Sequence, residues 1–119
     1  MMEDKKGKLL RESIEYSVKI IHLYDGINRL GFMKNQLARA ATSIGANVHE
    51  AEYAESPEDF VHKLKIALKE CHESEYWLMV LGRCVPELAD EVERLRKDAG
   101  AIRYMLIASI RTRLRNLRA

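Results

Sequence analysis

Apolar positions recur every three or four residues over four stretches of the chain, and nowhere with the alternation of a strand. The first stretch, residues 8–30, carries Leu10, Ile14, Val18 and Ile21 on one face. It continues through Tyr24, Ile27 and Leu30 to Gly31, a residue suited to a left-handed helix terminator. The second, residues 34–55, carries Leu37, Ala41, Ile44, Val48 and Ala51. The third, residues 57–82, opens at Ser56-Pro57-Glu58-Asp59, where serine caps, proline fits the first turn and two carboxylates face the positive helix end. From there Phe60, Leu64, Ala67, Cys71, Ser74, Leu78 and Leu81 repeat at four-three intervals, a heptad seam that Gly82 and Pro86 close. The fourth, residues 88–117, places Leu88, Val92, Leu95, Ala99, Ile102, Leu106, Ile110 and Leu117 inward. Gly100 interrupts it at a cost of only about 1 kcal/mol relative to alanine. Four long helices with short turns predict an all-α fold, an antiparallel up-down-up-down four-helix bundle filling residues 1–119 as one domain.

The second helix is unusual in the size of its inward residues. Ala40, Ala41, Ser43, Gly45 and Ala46 let neighbouring backbones approach, so this face should nest against larger side chains such as Leu64, Leu68 and Tyr76. In a hairpin turning near Ser56, facing positions have numbers totalling about 111, which sets Asn47 near Leu64 and Arg39 near His72 or Glu73. An Arg39–Glu73 ion pair is the expected contact. Asn47 and Glu50 lie three apart and share a face. Two readings stand for them: polar groups that satisfy one another or a neighbouring helix and fix register, or a catalytic or metal-binding carboxylate whose partners the sequence does not supply.

Composition narrows the class. Hydrophobic residues make up 47% and charged residues 32%, with two prolines and six glycines in 119 residues, which excludes a disordered chain. No apolar run approaches the roughly 18 residues that span a bilayer, and the opening MMEDKKGKLL lacks an apolar leader, so a cytoplasmic protein without a membrane partner is expected. Cys71 and Cys84 lie in one predicted helix, on the order of 20 Å apart, too far for a disulfide. Cys71, in an apolar register, reads as a small buried hydrophobe.

The string Gln36-Leu37-x-Arg39-Ala40-Ala41-x-Ser43-Ile44-x-x-Asn47-Val48-x-Glu50-Ala51, then Ser56-x-x-Asp59-Phe60, then Lys69-Glu70-x-x-Glu73-x-x-Tyr76-Trp77-Leu78, resembles the four-helix bundle proteins. These are also called 23S ribosomal RNA intervening-sequence proteins, and the resemblance runs over residues 8 to 116. It implies a ring-like homo-oligomer, typically a pentamer. The accessory variability proteins of diversity-generating retroelements share that fold and look like basic pentamers that bind a reverse transcriptase and its nucleic acid. The Ser43-Ile44-x-x-Asn47 motif is closer to the intervening-sequence branch, which makes a specific reverse-transcriptase role the weaker implication.

Charge adds a direction. The net +2 is unevenly spread: residues 94–119 hold eight arginines and lysines against Asp98 alone, +7, leaving −5 on residues 1–93. At roughly 100° per residue, Arg96, Arg103, Arg111, Arg115 and Arg118 fall within an arc of about 120° beside the apolar face, with Ile107 and Leu114 in or next to it. Such a row suits salt-dependent, sequence-tolerant binding of RNA or DNA. Its competing reading is a face that complements the helix dipole or pairs with the acidic run Glu50, Glu52, Glu55, Glu58 and Asp59 of a neighbouring subunit, which also suits head-to-tail assembly.

Enzyme chemistry finds little support. A di-metal bundle needs paired Glu-x-x-His motifs on facing helices, and only Asp59-x-x-His62, in a first turn, approximates one. Glu70-Cys71-His72-Glu73-Ser74-Glu75 points in several directions around a helix, and His22, His49, His62 and His72 have no triad spacing. A glycine-rich phosphate loop and the sheet-borne aromatic pair of common RNA modules are both missing. The expectation is a non-catalytic homo-oligomer without metal or cofactor that binds RNA or DNA through the last helix, with an accessory role beside a reverse transcriptase. The alternative is a protein-binding assembly scaffold.

Overall fold

A computed structural model describes residues 2–118, with side chains from Gly7 to Arg118. The described residues form four α-helices: α1 Met2–Asp25, α2 Gly31–Ala51, α3 Pro57–Cys84 and α4 Ala89–Arg118. One 3-10 turn, Pro86–Leu88, precedes α4, and there is no strand among the described residues. Each helix packs on the next, and α4 returns onto α1.

The core follows the apolar registers of α2, α3 and α4. Leu64, Ala67, Cys71, Ser74, Leu78 and Leu81 of α3 meet Val92, Leu95, Ala99, Ile102, Leu106 and Ile110 of α4, all buried. Each Leu or Ile so buried contributes about 1.5–3 kcal/mol. The polar members of this core are paired. The Tyr16 and Ser74 hydroxyls lie 3.0 Å apart, Ser74 donates to the Cys71 carbonyl at 2.8 Å, and the Cys71 thiol donates to the Ala99 carbonyl at 3.3 Å. Burial pushes the Cys71 thiol up to about 12 and raises the Tyr16 phenol further above its ordinary value.

The first helix departs from expectation. Its buried side carries Leu9, Ser13, Tyr16, Ile20 and Leu23, whereas Ile14, Val18 and Ile21, expected inside, are 51%, 42% and 49% exposed. Two apolar stripes run along α1, and the inward one contains a serine and a tyrosine that pattern reading scores as polar. Ser13 is accommodated because its hydroxyl donates back to the Leu9 carbonyl at 2.8 Å. Leu117, expected inward on α4, is also exposed, because it lies beyond the last core residue, Ile110.

Helix ends differ as well. α1 stops at Asp25 rather than near Leu30, and Gly31 begins α2 instead of terminating α1. Leu30 itself takes the left-handed conformation, φ 61°. The freed carbonyls at the α1 end are met from α2: the Lys34 ammonium donates to the carbonyls of Ile27 and Tyr24 and sits 4.3 Å from the centre of the Tyr24 ring. α2 ends at Ala51, short of residue 55. The amides of Glu52, Tyr53 and Ala54 each bond three residues back, a tightened turn. Ser56 then caps α3 as its sequence predicts, accepting from the Asp59 amide at 3.0 Å while the Asp59 carboxylate accepts from the Glu55 amide at 3.1 Å.

Two of the small residues of α2 meet α1, while the helix packs most extensively on α3. Gly45 faces Ser13, whose Cβ would lie 3.6 Å from a Cβ added at Gly45, and Ser17 donates to the Ala41 carbonyl at 3.4 Å. Ala46 and Tyr76 are exposed, so the expected nesting of that face against Tyr76 does not occur. Toward α3, ion pairs flank the apolar contact. Arg39 Nη2 lies 2.6 Å from Glu73 Oε2 and Nη1 3.3 Å from Glu70 Oε1, and Lys63 Nζ lies 3.2 Å from Glu50 Oε1. Asn47 donates to the Ser43 carbonyl of its own helix at 2.8 Å. Asn47 and Glu50 therefore do not satisfy one another, and Glu50 is held by a lysine of the neighbouring helix.

Two predictions follow from these contacts. A Cβ at Gly45 would make ordinary van der Waals contact, so Gly45→Ala should stabilise the protein by about 0.5–1 kcal/mol in urea denaturation; destabilisation would show that the α1–α2 approach needs the missing methyl. Hydrogen bonds from Arg39 hold the Glu73 carboxyl below its ordinary 4.5, so their contribution to stability is complete above that value and lost as pH falls through the lowered one. Arg39→Ala should cost up to about 1 kcal/mol at pH 7 and less at pH 3. An equal cost at both would assign the loss to packing.

Candidate nucleic-acid interface

The burial of α4 along Val92, Leu95, Ala99, Ile102, Leu106 and Ile110 sets the direction of its remaining side chains. The five arginines of the expected stripe divide accordingly. Arg103, 55° or so from the centre of the buried side at roughly 100° per residue, is half-buried and bidentate on Glu75: Nε to Oε1 at 3.0 Å and Nη2 to Oε2 at 3.2 Å. The hydrogen bonds from Arg103 to Glu75 raise the guanidinium above its ordinary value. Arg103 is thus a strut between α3 and α4 rather than a free cation. Arg96 is exposed and reaches Glu93 at 3.4 Å, one turn back on its own helix.

Arg111, Arg115 and Arg118 are exposed, and none has an ion-pair partner among the described residues. They lie past or at the end of the buried run, where α4 continues as a helix to Arg118. Arg113 points the other way. Its guanidinium carbon lies 3.9 Å from the centre of the Phe60 ring, closing the end of the α3 seam with a cation–π contact. The same contact sets the basic end of α4 beside the turn that carries Glu52, Glu55 and Glu58. Those carboxylates form no ion pair with Arg111, Arg115 or Arg118 within the chain.

Helix α3 adds cations that the sequence reading missed. The Arg103–Glu75 and Arg113–Phe60 contacts fix an opposed register of α3 and α4, which sets Lys65 and Lys69 level with the stretch between Tyr104 and Arg111. Both lysines are exposed and without an ion-pair partner among the described residues. Their signal was present: they lie four apart on the side of α3 opposite Ala67, Cys71 and Ser74. Lys97 and Tyr104 on α4, both exposed, share the outer face with Arg111 and Arg115. Glu93 and Asp90 end the basic stretch toward the start of α4.

The remaining polar groups are spread out. Cys71 and Ser74 are buried, Glu70 and Glu73 are engaged by Arg39, and His72 Nδ1 lies 3.8 Å from Glu75, so the Glu70 to Glu75 run forms no joint site. Among the described residues no three His, Cys, Asp or Glu side chains are placed to hold a metal ion. Nor is any helix long and apolar enough to cross a membrane. Two shallow hollows lie along the α1–α4 seam. One, of about 430 Å³, is lined by Lys19, Arg94 and Asp98; the other, of about 340 Å³, by Arg29 and Glu87, with His22 and Glu91 common to both. Their mixed signs give no field for an anion, and they lie apart from the α3–α4 outer face.

Known proteins locate this arrangement. A solved structure of a protein with unknown function from the S23 ribosomal protein family of Bacteroides thetaiotaomicron VPI-5482 is 40% identical to the chain, with a TM-score of 0.80. The match covers 86% of this chain and 97% of that one. No curated protein matches. The profile of the 23S rRNA-intervening sequence proteins matches residues 5–108, and on that span, together with the four-helix architecture, the chain belongs to the 23S rRNA-intervening sequence protein family.

Proposed function

We propose that this protein is a non-catalytic, homo-oligomeric bundle that binds RNA or DNA through the basic end of α4. One observation carries the reading. Arg111, Arg115 and Arg118 project from a rigid helix with no carboxylate among the described residues engaging them, although Glu52, Glu55 and Glu58 stand at the same end of the molecule. Unneutralised guanidinium groups in a row displace counterions from a polyphosphate, and that release drives binding with little regard to sequence.

Self-association is supported by a different surface. Ile14, Val18 and Ile21 form an apolar stripe on α1, and the small α2 residues Ala38, Thr42 and Ala46 lie on the same side of the bundle. Burying such a stripe against another copy removes it from water. The opposed contacts along α2–α3 and α3–α4 support an up-down-up-down protomer, and a ring built through the α1–α2 stripe would leave the α3–α4 outer face free. An associated polymerase, such as a reverse transcriptase, would then share the same polyanion.

Filter binding over a salt series tests the reading. Changing Arg111, Arg115 and Arg118 together to glutamine should lower affinity and reduce the magnitude of the slope of log K against log salt by about 2–3, since each phosphate contact contributes about 0.7–0.9. The oligomer should persist. Wild-type protein that retains no nucleic acid, or an unchanged slope in the variant, would leave the protein-binding scaffold as the function. In sedimentation, Ile14→Glu with Ile21→Glu should convert the oligomer to monomer; an unaltered mass would move self-association to another surface.

A further inference from the structure

Tyr104 is 75% exposed, yet it occupies the middle of the basic outer face of α4. A single exposed aromatic residue needs no explanation by itself. Its surroundings supply one. Lys97 lies seven residues before it and Arg111 seven after, so cations stand about 10 Å to either side along the helix. Between them the exposed neighbours on that face are Ala101 and Ala108, three before and four after Tyr104, which are too short to cover the ring. The ring makes no aromatic or hydrogen-bond contact among the described residues. Across the α3–α4 groove, Lys65 and Lys69 sit level with the segment from Tyr104 to Arg111.

We infer that Tyr104 is a stacking platform and that the polynucleotide bound by this face is single-stranded. The inference rests on the nucleic-acid reading above and sharpens it. A duplex keeps its base faces stacked inside and offers this surface phosphates, sugars and groove edges, none of which stacks on an uncovered tyrosine. A single strand can turn one base onto the ring while its flanking phosphates meet Lys97 on one side and Arg111, with Lys65 and Lys69, on the other. Alanines beside the ring allow the sugar-phosphate chain to approach the helix closely. Arg103, held by Glu75, stays out of this contact and keeps the two helices in register.

Fluorescence anisotropy with the full chain and oligonucleotides of about 12 nucleotides, within the usual span of a single-strand site, tests this directly. The probes are single-stranded RNA, single-stranded DNA and the DNA duplex, with 2-aminopurine in the single strands to report stacking. Wild type should prefer single strands and quench or shift 2-aminopurine emission. Tyr104→Ala should weaken single-strand binding roughly 5- to 150-fold, leave duplex binding and the salt slope unchanged, and abolish the 2-aminopurine signal. Tyr104→Phe should restore all three. The ratio of RNA to DNA affinity identifies which polymer fits. The inference is overturned if Tyr104→Ala leaves single-strand affinity unchanged, or lowers single-strand and duplex affinity alike. If the arginine variant weakens binding while Tyr104→Ala does not, only the stacking role fails; if wild type binds none of the probes, the nucleic-acid reading fails with it.

Discussion

Burial of Ile102, Leu106 and Ile110 against α3 fixes one side of α4, and the stiffness of an α-helix then fixes the rest. A side chain 150° or so from the buried centre has nowhere to go except into solvent. Arg111 and Arg115 are in that position, while Arg113, two residues from each, points back and covers Phe60. The chain thus separates its cations by role without changing their type. Arg113 and Arg103 close the α3–α4 contact, and the arginines between and beyond them remain at the surface.

The surfaces of the molecule divide in the same manner. Glu75 neutralises Arg103, Glu70 and Glu73 engage Arg39, Glu50 meets Lys63, and Asp98 meets Lys19 at 3.0 Å. These five carboxylates act as clamps between adjacent helices. Lys65, Lys69, Lys97, Arg111 and Arg115, which form no ion pair among the described residues, give the α3–α4 outer face its positive charge. The α1 stripe of Ile14, Val18 and Ile21 carries almost the opposite character, apolar and flanked by alanine and threonine on α2. Under the proposed reading, one face serves assembly and the other a polyanion, with no competition between them.

Most of the fold was legible in the sequence because three helices keep a single apolar register. The heptad from Leu64 to Leu81, the α4 line from Val92 to Ile110 and the α2 line from Leu37 to Ala51 are all buried. The Ser56 cap is local chemistry and was equally plain. α1 misled because it has two apolar stripes with three aliphatic residues each, and the buried one also carries Ser13 and Tyr16, which face Gly45 and Ser74. The helix end at Asp25 was hidden by Ile27 and Leu30, loop residues that continue the apolar spacing. At the interface the arc of arginines gave direction without partners. Only three-dimensional contact shows that Glu75 engages Arg103, or that Lys65 and Lys69 of another helix extend the same face.

Whether the terminal guanidinium groups stay accessible in the proposed assembly is the claim on which the proposed function depends. Phenylglyoxal modification of the assembled protein, read residue by residue by mass spectrometry, measures it without reference to any ligand. Arg111, Arg115 and Arg118 should react fast and equally in oligomer and in dilute protein, with Arg39 and Arg103 slow in both. Protection of the three terminal arginines to the level of Arg103 on assembly would contradict the account and assign that end of α4 to the contact between subunits.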